Sequence, residues 1–143
     1  MHKMALRYTN DLTPQEYKDF RASVGWFDIT LSQATRVLKN TPIVVCVRDG
    51  EKAIGMGRLL FDGGCAAYVA DIIVDKAYRG QGIGKTIVES LCQQAVDSLE
   101  SGEHMYFILS SVKDKEAFYE KLGFISTPNE NAGHGMRKDV TKA

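Results

Sequence analysis

A glycine-rich run, Arg-Gly-Gln-Gly-Ile-Gly at residues 79–84, follows an apolar segment and precedes a helical pattern. At the start of a helix the unbonded N–H groups point away from the turn, and glycines let an anion approach the backbone closely. The run therefore predicts a site for a phosphate or pyrophosphate group. A tight turn that binds nothing is the alternative for such a loop considered alone.

The spacing of these glycines argues against two common nucleotide-binding motifs. A dinucleotide fingerprint, Gly-x-Gly-x-x-Gly, needs glycine where the sequence has Lys85. A Walker A loop ending in Gly84-Lys85-Thr86 needs its first glycine where Arg79 stands. A Rossmann dehydrogenase and a P-loop NTPase are both disfavoured.

Helices and strands alternate around this loop in an order that predicts a mixed α/β domain. Capping boxes that begin at Thr13 and Thr30 predict helices that end before Gly25 and near Asn40. Residues 83–99 continue the glycine run as a long amphipathic helix, and residues 113–122 predict a last helix closed by Gly123. Strand patterns lie at residues 6–8, 43–47, 53–61, 66–74 and 105–109, and more weakly at 124–125 and 136–138.

Composition narrows the class of protein further. A length of 143 residues with 44% hydrophobic side chains predicts one domain, 1–143, with its own core. The 18 basic and 18 acidic residues balance, so we expect neither a nucleic-acid partner nor a membrane surface. Cys46, Cys65 and Cys92 form no Cys-x-x-Cys pair, which predicts reduced thiols, no metal, and a cytoplasmic protein.

The pattern Arg79-x-x-Gly82-x-Gly84 after an apolar strand resembles motif A of the GNAT superfamily of acyl-CoA-dependent N-acetyltransferases. The run Ala-Phe-Tyr-Glu-Lys-Leu-Gly-Phe at residues 117–124 is similar to the helix and strand entry that follow the family's fifth strand. The resemblance implies a single α/β (α+β) domain. It also implies a mixed, mostly antiparallel sheet of six to seven strands, with about four helices, splayed at the cofactor strand.

The same resemblance implies acetyl-CoA as co-substrate and assigns a set of residues to it. Backbone N–H groups of the glycine run would bind the CoA pyrophosphate, and the end of the strand before it would pair with the pantetheine. Trp26 and Phe27 lie where the family forms one wall of the acceptor site; loop aromatics that fill the core are an equal alternative. The predicted cofactor-binding residues are Ile73, Val74, Arg79, Gly80, Gln81, Gly82, Ile83, Gly84 and Lys85.

Two side chains are predicted to act in the chemistry. An alkylamine, with a pKa near ~10.4, is protonated at pH 7 and must lose a proton before it attacks. Asp71 is the predicted base and should share a strand face with Ile73, but an Asp71 that anchors a loop or an arginine, and a water relay, are open alternatives. Tyr119 matches the family's tyrosine, which protonates the leaving thiolate; a core aromatic is the alternative.

The function predicted from the sequence is therefore transfer of an acetyl group from acetyl-CoA to a primary amine of a small molecule by direct attack in a ternary complex. A GNAT-like module that binds acyl-CoA without turnover, and an acetyltransferase acting on protein lysines or N-termini, are the alternatives. Exposed edge strands often pair in this family, so a homodimer is possible.

Overall fold

A five-stranded sheet whose strands lie in the order of the sequence carries the predicted site. The computed structural model describes residues 5–143, which divide into one unit that ends at Leu109 and a second unit, Ser110–Ala143. The first four strands are antiparallel, and the fifth runs parallel to the fourth. The strands are β1 Leu6–Thr9, β2 Ile43–Asp49, β3 Lys52–Phe61, β4 Ala66–Val74 and β5 Tyr106–Ile108.

Three helices of the first unit begin where the sequence predicts them. They are α1 Pro14–Ser23, α2 Leu31–Asn40 and α3 Ile83–Asp97, and a 3₁₀ turn, Lys76–Tyr78, precedes α3. Both capping boxes are present: Thr13 and Glu16 exchange side chain to backbone hydrogen bonds at the start of α1, and Thr30 and Gln33 do so at the start of α2. These reciprocal bonds satisfy N–H groups that a helix start otherwise leaves unpaired.

The two faces of the sheet are covered by different helices. Met56 and Ile73 belong to a core cluster with Tyr17 and Phe20 of α1 and Ala34 of α2. Successive strand residues point to opposite faces, so Gly55 and Gly57 lie on the other face, where the side chain of Ile87 of α3 approaches both of them. Helices α1 and α2 therefore pack on one face and α3 on the other, which positions the start of α3 beside the end of β4.

The second unit contains one short helix, α4 Glu116–Glu120, among its described elements. The sequence pattern predicts a helix over 113–122, but Asp114 has φ +72°, a left-handed conformation that an α-helix does not include. The helix consequently begins only after Lys115. Gly123 has φ +95°, as predicted for the residue after a helix end.

The strand count is lower than predicted, five in the described residues against six to seven. Residues 124–125 and 136–138 form no strand; an isolated bridge between Asn129 and Ala132 is the pairing recorded in the second unit. A segment is a strand only where a neighbour accepts and donates its backbone hydrogen bonds, so suitable residue types alone do not make one. The predicted strand 105–109 is also shorter, Tyr106–Ile108, and it is the last strand in the order of this sheet.

Candidate active site

A β-bulge interrupts the pairing of β3 with β4 next to the predicted catalytic carboxylate. Met56 pairs with Ile73 and Arg58 with Ala70, so the single residue Gly57 faces two residues of β4. One of these two, Asp71, has φ +53°, a conformation that Asp and Asn tolerate better than most residues. The bulge turns Asp71 toward α1 and α2, the same face as Ile73, as the alternation predicted.

Strand β5 pairs with only the first part of β4. The ladder contains three pairs, from Ala66–Tyr106 to Tyr68–Ile108, and β4 continues for six more residues to Val74. On the β5 side, the stretch 69–74 of β4 has no strand partner among the described residues. These residues, which we call the splayed end of β4, leave main-chain groups next to Ile73 and Val74 without a strand partner on that side.

The glycine run lies directly after this splayed end and forms the start of α3. Gly80 has φ +80° and Gly82 has φ +79°, and a Cβ added to either would meet no atom within 4 Å. Glycine is needed here for its backbone conformation, and the space in front of the loop is open. Gly82 is the N-cap and, having no side chain, caps none of the N–H groups of the first helical turn.

Those uncapped N–H groups form a site that suits an anion. The first intrahelical bond runs from Thr86 N to Gly82 O at 3.1 Å, so the N–H groups of Ile83, Gly84 and Lys85 precede it. Three adjacent donors and the positive end of the helix dipole favour an anion. Lys85 adds a cation, which is exposed and pairs with Glu89 at 3.8 Å.

The segment that leads into the loop is attached to the sheet by backbone and side-chain hydrogen bonds. Asp75 N donates to Ile54 O at 2.8 Å, and Arg79 Nε donates to Val74 O at 3.0 Å. The Tyr78 hydroxyl donates to Asp49 Oδ2, and this hydrogen bond raises the pKa of Tyr78. These contacts hold the loop next to the end of β4, so the anion site and the splay are neighbours.

Asp71 is the centre of a buried polar network. Its Oδ2 accepts hydrogen bonds from Arg58 Nε at 2.6 Å and from the Tyr17 hydroxyl at 2.5 Å, and its Oδ1 lies 3.9 Å from Arg21 Nη1. Only 12% of the Asp71 side chain is exposed. Burial, and then the bond to Asp71, raise the pKa of Tyr17. This geometry supports the alternative in which Asp71 anchors arginines.

A cavity of about 420 Å³ adjoins this network on the α1 and α2 side. Phe27, one of the two predicted acceptor-site aromatics, lines the cavity. Trp26 is not in the lining; it is half-buried against the core cluster, and the guanidinium of Arg21 lies 5.6 Å from its ring centre. The lining residues are Tyr17, Arg21, Phe27, Ile29, Gln33, Arg36, Val37 and Arg58.

Sequence reasoning missed the polar members of this site. Tyr17 fits the apolar face of α1, and Arg21 follows one helical turn later, so periodicity alone assigns both to packing. Arg58 did carry a signal, because it interrupts a strand of β3 that is otherwise apolar or glycine from Ala53 to Phe61. A lone arginine in such a strand needs a buried anion, and Asp71 provides it.

The second unit contains the other predicted catalytic residue, Tyr119. Its ring makes edge-to-face contacts with Phe118, at 4.9 Å between ring centres, and with Phe124, at 5.9 Å. Phe124 N donates to Tyr119 O at 3.2 Å, which closes the turn after α4. The role of Tyr119 as a proton donor stays a prediction.

Residues 5–143 contain neither a cluster of metal-binding side chains nor a membrane-spanning helix. No three His, Cys, Asp or Glu side chains lie close enough together to hold a metal ion. None of the helices described has the length and apolar character needed to cross a membrane.

A profile of the acetyltransferase (GNAT) domain family matches residues 39–126, which include β2 to β5 and the glycine run. The chain belongs to the GNAT family. A relative in Pyropia yezoensis, "Uncharacterized N-acetyltransferase ycf52", is 32% identical over 111 residues, which are 75% of this GNAT chain and 62% of the relative. The histone acetyltransferase TAP1 of Glycine max is 33% identical over 116 residues, 73% of this chain and 48% of TAP1. The chain thus spans less than two thirds of the length of either relative.

Solved structures support the same fold. A probable acetyltransferase of methicillin-resistant Staphylococcus aureus, SA2161, has a TM-score of 0.80 and 29% identity, covering 94% of this GNAT chain and 99% of that protein. AAC(6')-Iy in complex with a bisubstrate analogue, CoA-S-monomethyl-acetylneamine, has a TM-score of 0.67 at 16% identity, covering 97% of this chain and all of the other. The second likeness shows the fold alone.

Proposed function

We propose that this GNAT protein transfers the acetyl group of acetyl-CoA to the primary amine of a small molecule by direct attack in a ternary complex. One observation carries the proposal. The uncapped start of α3, with left-handed Gly80 and Gly82, lies beside the splayed end of β4. The first feature suits a pyrophosphate and the second suits an extended chain that pairs with a strand edge.

The residues that would hold the cofactor follow from this geometry. The N–H groups of residues 80–85 would bind the pyrophosphate, and the main chain at Ile73 and Val74 would pair with the pantetheine. Acetyl-CoA would supply an activated carbonyl and a thiolate leaving group. Arg79 would act indirectly, since its Nε already donates to Val74 O and so fixes the loop to the strand end.

Proton transfers complete the proposal. We keep Asp71 as the base, directly or through a water that it holds. Its Oδ2 already accepts two hydrogen bonds, so Oδ1, which has only a longer ion pair with Arg21 at 3.9 Å, is the oxygen left for the proton. Tyr119 would donate a proton to the thiolate, because a phenol with a pKa near ~10 keeps its proton at pH 7. Balanced charge and free thiols support a cytoplasmic location.

The proposal is tested by ligand binding and by turnover. Isothermal titration with acetyl-CoA, CoA, ATP and NAD should give micromolar or tighter binding for the CoA compounds only. Release of thiol from acetyl-CoA should then depend on an added amine. Binding of acetyl-CoA without turnover across a broad amine panel would instead indicate a non-catalytic module. Binding of ATP alone among the four compounds would refute the assignment of the glycine run to CoA.

A further inference from the structure

The cavity beside Asp71 has an excess of positive charge. Its lining includes Arg21, Arg36 and Arg58 and no carboxylate. Asp71 lies behind the lining and contacts two of these arginines, so three cations share a single counter-charge. Buried cations are costly unless they are paired, so a cavity with this charge balance favours an anionic ligand.

Arg21 gives an independent indication of that ligand. Its side chain is only 9% exposed, and its Nε is buried with no hydrogen-bond partner among the described residues. Nη2 donates to Phe27 O at 3.0 Å, and Nη1 is 3.9 Å from Asp71, longer than a hydrogen bond. Buried polar atoms in folded proteins nearly always have a partner, and an oxygen of a ligand in the cavity would provide one here.

The other two arginines have donors to spare. Arg58 uses Nε for Asp71 and Nη1 for Thr41 Oγ1, at 3.3 Å. Arg36 is exposed on α2 and uses Nη1 for Ser32 Oγ at 2.7 Å. Guanidinium groups bind carboxylate and phosphate through paired hydrogen bonds, so three of them around one cavity favour an oxyacid anion over chloride.

We propose that the cavity binds a carboxylate or phosphate group that the amine acceptor carries, so that the substrates of this protein are small anionic amines. This inference rests on the proposed function. A volume of about 420 Å³ is within the range of small-molecule sites. Asp71 links the arginines to the bulge of β4, two residues before Ile73, so an anchored acceptor would have its amine near the proposed acyl site.

The test compares matched amines in the acetylation assay. Each anionic amine is paired with a neutral counterpart: β-alanine with propylamine, and O-phosphoethanolamine with ethanolamine. We expect kcat/KM to be at least about tenfold higher for one anionic member than for its counterpart, and the pair that shows the preference identifies carboxylate or phosphate as the group bound. Equal rates within both pairs would overturn the inference while leaving the acetyltransferase function intact.

Arg36 and Lys39 provide a matched pair of variants on α2. Both side chains are exposed, so neither Arg36→Gln nor Lys39→Gln should disturb the fold, and each removes one positive charge. Arg36→Gln should raise KM for the anionic amine roughly tenfold, with the affinity for acetyl-CoA unchanged. Lys39→Gln, which does not line the cavity, should behave like the parent protein. Equal effects of the two variants would refute a specific anion site.

Direct binding separates the two proposals. If no amine is acetylated but calorimetry shows that the parent protein binds the anionic amine more tightly than Arg36→Gln does, the anion site stands and the enzyme function fails. If the parent protein binds neither anionic amine and turns over neither, the anion site is wrong. Arg58→Lys, which keeps the charge but loses the paired donors, should weaken binding of the same amine and gives a second check.

Discussion

Alanine in place of Gly57 should disturb the packing of α3 on the sheet and, through α3, the cofactor loop. A Cβ at position 57 would stand 2.5 Å from Ile87 Cγ2, 2.7 Å from Ile72 Cδ1 and 3.0 Å from Leu91 Cδ1. Carbon atoms pack at about 3.5–4.0 Å, so all three contacts are too short. Ile87 and Leu91 are fully buried, which leaves their side chains little room to move.

The expected loss of stability follows from two opposing effects. An extra methyl group in a packed core costs about 1–3 kcal/mol, whereas replacing glycine restricts the unfolded chain and contributes about 0.4–1 kcal/mol to stability. The net destabilisation should be about 0–2.6 kcal/mol, with about 1.3 kcal/mol at the middle of both ranges. At roughly 2–4 °C for each kcal/mol in a protein of this size, the middle value lowers the melting temperature by about 3–5 °C.

Gly55→Ala is the matched control, because Gly55 lies on the same strand and the same face. Its added Cβ would stand 3.3 Å from Ile87 Cδ1 and 3.5 Å from both Val47 Cγ2 and Ile73 O, contacts that small adjustments relieve. We expect its stability to remain within about 1 kcal/mol of the parent.

Thermal unfolding of both variants and titration with acetyl-CoA check the reasoning. Acetyl-CoA should bind more weakly to Gly57→Ala than to Gly55→Ala, since the start of α3 carries the proposed donors for the pyrophosphate. If Gly57→Ala has the same melting temperature as Gly55→Ala and binds acetyl-CoA as tightly as the parent protein, the close contact between α3 and β3 does not set the position of the loop.

Three further predictions concern the proposed site. Gly82→Asp should abolish the binding of acetyl-CoA measured by calorimetry. Gly82→Asn should lose less affinity, because asparagine tolerates the same φ and adds no charge; equal losses of affinity would show that charge is irrelevant there. Asp71→Asn should lower the acetylation rate most at low pH if Asp71 removes the amine proton, whereas a pH-independent deficit would indicate that it only anchors Arg58. Tyr119→Phe should lower kcat roughly ten- to a thousandfold with little change in acetyl-CoA affinity, and a change in KM alone would assign Tyr119 to binding or packing.

Local patterns in the sequence were sufficient for most of the elements of the first unit. Capping boxes at Thr13 and Thr30 mark helix starts through bonds within four residues. The two-residue turn Gly50-Glu51 joins β2 to β3, and its glycine has the positive φ, +60°, that such a turn needs. The glycine run was also readable, because left-handed φ values at Gly80 and Gly82 depend on the residue type itself.

Features that depend on distant partners were not readable in this way. The weak strand patterns at 124–125 and 136–138 contain suitable residues, but strand formation requires a neighbouring strand, and sequence does not supply one. The truncation of α4 depends on the left-handed conformation of Asp114, which no pattern around it predicted. Likewise, the face on which Asp71 lies was predicted from alternation, but the bulge that turns it there was not.

The sequence by itself determined the family, the order of the main elements and the position of the glycine-rich loop, because each is encoded by residues that are near one another in the chain. Only the tertiary structure decided what surrounds Asp71. Tyr17 and Arg21 lie 54 and 50 positions away from it in the sequence and meet it through the packing of α1 on the sheet. Arg58, 13 positions away, meets it through the pairing of β3 with β4. Charges buried together in this way are paired by the fold, so the arginine-lined cavity becomes visible only once the fold is known.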